Sequence, residues 1–85
     1  MTTLENWYFC PDIGYSPYCR LSGNVYNHPN FKDGEVVFPS LIVSFNKELM
    51  QIITASGRTY QLGKFKHIAP TWTIEKAIER MEKCI

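Results

Sequence analysis

Through the middle of the chain, apolar and polar residues alternate with a period of two. From Arg20 to Tyr26, Leu21, Gly23 and Val25 fall on one side, and Arg20, Ser22, Asn24 and Tyr26 on the other, which is the pattern of a strand. It resumes over Glu35–Phe38 and Leu41–Phe45, as one strand or two, with Leu41, Val43 and Phe45 on a common face. Pro39 cannot donate to a ladder, so it marks an edge or a bulge. Leu49–Ala55 and Arg58–Leu62 follow, the second with Arg58, Tyr60 and Leu62 on one face and Thr59 and Gln61 on the other. The links Asn46-Lys47-Glu48 and Ser56-Gly57 are short enough to demand antiparallel neighbours, and Ser56-Gly57 fits a two-residue hairpin loop. The pattern therefore predicts a β-meander over 20–63.

The period then changes. Ile74, Ala77, Ile78, Met81 and Ile85 recur at helical spacing along one stripe, with Glu75, Lys76, Glu79, Arg80, Glu82 and Lys83 opposite. Thr73 is placed to cap this helix of 73–84, Trp72 to staple onto Ala77, and Glu79–Lys83 to form an i,i+4 pair. Ahead of the meander, Leu4 to Phe9 reads as a short helix or an extended arm, and Pro11, Gly14 and Pro17 make 10–19 an irregular loop. Trp7, Tyr8, Phe9, Tyr15 and Tyr18 fill this stretch with rings. They either fold over the sheet to complete a small core or stay exposed as anchors for a partner. The expected fold is α+β, in one domain over 1–85. An aromatic arm and loop (1–19) precedes a small antiparallel meander or barrel-like sheet of three to five strands (20–63), with the C-terminal helix packed on it.

Composition narrows the function class. Eighty-five residues leave room for one modest core, and 45% apolar residues are too many for a disordered chain. A formal charge of +1 excludes both an acidic nucleic-acid mimic and a strongly basic chromatin-type binder. No apolar run approaches the roughly 18 residues of a membrane span, and no secretory leader is visible, so a cytoplasmic protein without a membrane partner is expected. Cys10, Cys19 and Cys84 are an odd set, expected as thiols in a reducing compartment, with Cys84 on the apolar side of the helix. Cys10, Cys19 and His28 recur every nine residues, a spacing unlike the compact ligand pairs of zinc sites, so no metal or cofactor is expected. No phosphate-binding loop, nucleophile elbow or zinc-protease helix is present. A trio of Cys19, His28 and Asp33 can be drawn on paper, but nothing in the pattern singles it out, and a non-enzymatic protein is expected.

The stretch from Gly23 to Ser40 holds the only Asp-Gly pair, one of two histidines and two of five prolines. His28-Pro29 stops the preceding strand, Asn30 to Gly34 forms a turn with Gly34 at positive φ, and Asp33 shapes that turn. The histidine ring is expected to bond the same turn. Tyr26, His28, Phe31 and Asp33 are the candidate partner-binding residues at this corner. Charge supplies a second candidate surface. Between Glu48 and Glu75 there is no acidic residue, while Arg58, Lys64, Lys66 and His67 fall inside, interleaved with Tyr60 and Phe65. Arg58, Tyr60, Lys64 and Lys66 form the candidate nucleic-acid platform of phosphate contacts and a stacking ring.

The pattern Gly23-x-Val25-x-x-His28-Pro29-x-Phe31-x-Asp33-Gly34, then Ser40-x-Ile42, then Thr54-x-x-x-x-x-Tyr60-x-Leu62-Gly63, resembles a family of short uncharacterised proteins of bacteriophages and prophage-bearing bacteria. The resemblance covers about the central half of the chain and carries no catalytic residues with it. It implies a host-cell cytoplasmic setting, and small phage proteins without catalytic apparatus most often bind something of the host. The expected function is a non-enzymatic interaction protein acting on a host protein or ribonucleoprotein complex, with an anti-CRISPR-like inhibitor of host defence among the readings. The alternative is a small nucleic-acid-binding module built on 58–67.

Overall fold

The computed structural model describes residues 1–9, 20–39, 41–67, 70–71 and 73–83, with the backbone alone at Phe9. Six strands form one mixed sheet: β1 (Thr2–Phe9), β2 (Leu21–Tyr26), β3 (Glu35–Val37), β4 (Ile42–Asn46), β5 (Gln51–Thr54) and β6 (Thr59–Leu62). Helix α1 (Ile74–Lys83) follows. The order across the sheet is β3-β2-β1-β6-β5-β4; β1 pairs in parallel with β6, and every other pair is antiparallel. The fold is α+β, as the patterning implies.

The N-terminal segment departs from the expectation. It is neither an arm nor a helix but a central strand, and it splits the meander into β2-β3 on one side and β4-β5-β6 on the other. The sheet thus has six strands rather than three to five. The reason lies in a break of parity. Leu4 and Trp7, both fully buried, would point to opposite faces of an unbroken strand. A β-bulge corrects this: Glu5 pairs with Asn24 and Tyr8 with Ser22, so Asn6 and Trp7 together oppose Gly23. Asn6 takes the left-handed φ of 50° that the bulge needs. Past the bulge, Trp7 turns inward, meets Phe65 edge-on at 5.0 Å, and donates from Nε1 to the Gly63 carbonyl at 3.0 Å.

A second bulge corrects β4. Ile42 pairs with Thr54 but Ser44 with Ile53, leaving Val43 extra. Ile42 is therefore buried and Val43 exposed, while Phe45 returns to pack on the core; Leu41, Val43 and Phe45 do not share a face. The β5–β6 loop is also one residue longer than expected. Gly57 N–H donates to Thr54 O and Thr54 N–H to Arg58 O, enclosing Ala55, Ser56 and Gly57, with Gly57 at φ 88°.

Between β3 and β4, which lie on opposite edges of the sheet, only residues 38–41 intervene. Five peptide steps reach about 18 Å, whereas six flat strands put their edges roughly 24 Å apart. The sheet must curl until its edges approach, and the core fills the concave side. Helix α1 closes that core through Ala77 and Met81, both fully buried, with Ile74 and Ile78 packed beside them. Thr73 caps it, its Oγ1 accepting from Lys76 N–H at 3.3 Å, and Glu79–Lys83 pair at 3.3 Å on the outer face. No described helix is long and apolar enough to cross a membrane. The expected roles of Cys10, Cys19, Cys84, Tyr15, Tyr18, Ser40, Trp72 and Ile85 lie outside the described residues.

Gly23 offers the sharpest check on this packing. A β-carbon there would sit 2.8 Å from the Glu5 carbonyl oxygen and 2.9 Å from Leu4 Cγ, and the first of these is backbone that cannot swing away. Gly23→Ala should therefore cost about 1–3 kcal/mol of overpacking, read as a lower denaturant midpoint at unchanged slope. Trp7→Ala should cost more, about 3–5 kcal/mol, because the ring is buried on every side. A Trp7→Ala protein that unfolds like the parent would restore the arm.

Candidate functional site

Curling brings the β2–β3 corner against the β5–β6 hairpin at one end of the sheet. The corner is braced mostly by its own short polar groups. Asn27, at φ 61°, donates its N–H to Asp33 Oδ1 at 2.9 Å, and Asn30 N–H donates to His28 Nδ1 at 3.0 Å. Gly34, at φ 88°, donates to Val25 O at 2.7 Å, while Asn24 Nδ2 holds the Gly34 carbonyl at 3.0 Å. These are the expected roles of Asp33 and of the histidine. His28 Nδ1 and Asp33 Oδ1 each accept a turn amide; Cys19, the third member of the trio drawn from the sequence, lies outside the described residues.

Thr2 ties the corner to the hairpin. This buried hydroxyl donates to the Asn27 carbonyl at 3.2 Å and accepts from Arg58 Nη1 at 3.4 Å. The His28 ring lies 6.4 Å from that of Tyr60 and 4.8 Å, edge-on, from that of Phe31. Between the two loops opens a cleft of about 790 Å³. It is lined by Thr2 and the buried Tyr60, by His28, Asn30 and Phe31 of the corner, by Ser56 to Thr59 of the hairpin, and by Met1, Phe38 and Pro39.

The structure redistributes the sequence candidates. It joins His28 and Phe31 from one set to Arg58 and Tyr60 from the other. Tyr26, at the end of β2, and Asp33, behind the turn, do not line the cleft. Nor do Lys64 and Lys66. They follow Leu62, the last residue of β6. There the Lys66 ammonium sits 5.3 Å from the centroid of the Tyr8 ring, and Lys64 N–H donates to Glu5 Oε2 at 2.7 Å. Of Arg58, Tyr60, Lys64 and Lys66, the first two line the cleft and the two lysines do not. Among the residues that sequence reasoning passed over as site residues are Met1, Thr2, Asn30, Phe38, Ser56 and Thr59. Thr2 reaches the cleft through the parallel pairing of β1 with β6, which sets it beside Tyr60, and Phe38 reaches it from the end of β3.

Electrostatics follows the same geometry. Burial lowers the pKa of His28 below its ordinary 6.5, and the nearby Arg58 cation lowers it further. Burial raises that of Tyr60, against the smaller opposing pull of Arg58. At neutral pH His28 is thus uncharged, its Nδ1 accepting from Asn30 and Nε2 carrying the proton. Among the described residues no carboxylate pairs with Arg58, and no Asp or Glu lines the cleft. No group of three or more metal-ligating side chains occurs among the described residues. No family model matches this chain, and no curated protein or solved structure matches it either.

A pH dependence follows with a definite sign. Because the folded-state pKa of His28 is depressed, its contribution is complete above 6.5 and is lost as pH falls through the folded value. Protonation also removes the acceptor for Asn30. Between about pH 7.5 and pH 5, the melting temperature of the parent should fall further than that of His28→Asn, whose side chain does not titrate in that range. Equal falls would show that the folded state does not hold His28 neutral.

Proposed function

We propose that this chain is a non-enzymatic interaction protein that seats a macromolecular partner in the cleft between His28–Phe31 and Ser56–Tyr60. One observation carries the reading. Met1, Phe31 and Phe38, at 70%, 43% and 64% exposure, are three of the eight large hydrophobic side chains left exposed among the described residues, and all three border this one cleft. Exposed apolar area gathered around a concavity, with a few polar groups inside, is the usual character of a binding site. The resemblance to short phage and prophage proteins suggests the setting: a host protein or ribonucleoprotein complex as partner, in the bacterial cytoplasm, and inhibition of a defence machinery such as a CRISPR effector as the purpose.

The nucleic-acid reading draws less support. A polyanion is held by several phosphate contacts at once, and Lys64 and Lys66 do not line the cleft, which leaves it with a single arginine.

Affinity capture from a bacterial host lysate, with and without nuclease, tests the proposal when run on variants. Phe31→Ala should lose the captured complex, since truncating a hot-spot ring costs about 2 kcal/mol or more. Tyr26→Ala and the Lys64→Ala/Lys66→Ala pair should retain it, with nuclease making no difference. Capture that resists Phe31→Ala but fails in the lysine pair, with a steep salt dependence, would favour nucleic acid instead.

A further inference from the structure

We infer that the cleft takes an acidic, apolar segment of a partner protein, with one carboxylate on Arg58 and its apolar neighbours against Phe31 and Phe38. The inference rests on the reading of the cleft as the binding site and adds the chemistry of what enters it.

Charge complementarity fixes the sign. Arg58 contributes a permanent cation, half-buried, without a carboxylate partner among the described residues. No acidic side chain lines the cleft to compete with an incoming anion. Geometry fixes the number. The contact from Arg58 Nη1 to Thr2 Oγ1 uses one donor of the guanidinium and holds it to β1, leaving the remaining donors of the fork for an acceptor. A single oriented guanidinium suits a single carboxylate better than a run of phosphates. Lys64 and Lys66, the other cations from this part of the chain, border no part of the cleft.

The surroundings set the remainder of the ligand. Phe31 and Phe38 present open rings, while the His28 ring stands edge-on to Phe31 and fixes one wall. A volume of about 790 Å³ accommodates several side chains, so a short segment fits where one isolated carboxylate would leave the rings in water. The Asn30 and Thr59 side chains supply polar edges for the backbone of such a segment.

The test is a heteronuclear NMR titration of the full chain with acetyl-Phe-Asp-Phe-amide. Acetyl-Phe-Asn-Phe-amide serves as the uncharged control, and a ten-residue oligothymidylate as the nucleic-acid arm. The acidic peptide should shift resonances at residues 28–31 and 56–60, and bind about tenfold more tightly than the control. Arg58→Gln should remove that preference, and Arg58→Lys, which keeps the charge, should restore part of it. Spectral dispersion shows in the same experiment that each variant is folded. Equal affinity for the two peptides, shifts centred elsewhere, absence of binding at about 10 mM peptide, or tighter binding of the oligothymidylate in the cleft would each overturn the inference. If the peptide fails while Phe31→Ala still abolishes capture, the cleft remains the binding site and only its acidic ligand is lost. If capture is indifferent to Phe31 as well, both readings fall.

Discussion

Strand β1 is the element on which both halves of the sheet depend. It alone pairs with β2 on one side and β6 on the other, so without it the β2-β3 pair and the β4-β5-β6 sheet would share no ladder. Parallel pairing to β6 is possible because the two strands are distant in sequence, and it extends past the strand ends. Trp7 N–H donates to Lys64 O at 3.1 Å and Lys66 N–H to Trp7 O at 2.9 Å. The bulge at Asn6 then does two jobs. It turns Trp7 into the core, and it leaves room beside Gly23 for the approach of β1 and β2.

The cleft follows from this arrangement together with the short link between β3 and β4. With β1 in the middle and four residues between opposite edges, the sheet has to curl, and its end loops converge. The corner and the hairpin then meet over Thr2, which hydrogen-bonds both. The apolar rim of the cleft lies outside the buried core: Phe31 and Phe38 are 43% and 64% exposed, while Trp7, Leu4 and Met81 supply the buried packing. Apolar area left exposed around a concavity is the feature on which the proposed binding role rests.

How far the sequence was legible depended on whether a signal was local. The helix stripe, the Thr73 cap, the Asn30–Gly34 turn and the alternation of Tyr60 and Leu62 are set by neighbours a few residues away, and among the described residues each is found where the pattern puts it. The N-terminal strand was hidden because the bulge at Asn6 breaks its alternation, so Leu4 and Trp7 carry no common period. Val43 misled for the same reason, an extra residue having reversed the face of β4. The candidate site suffered differently. His28, Phe31, Arg58 and Tyr60 were visible one by one, but the division into a corner set and a basic set followed sequence proximity. The meeting of His28 with Tyr60 arises from the curl of the whole sheet, which no local pattern records.

The most direct measurement is therefore of proximity across the cleft: proton–proton nuclear Overhauser contacts in the free protein between the rings of His28 and Tyr60, and between Thr2 and Asn27. If the sheet curls around a central β1, both contacts should be present, together with cross-strand contacts from Thr3 to Gln61. A well-dispersed spectrum that shows the β5–β6 hairpin but lacks all three contacts would contradict the fold and, with it, the cleft.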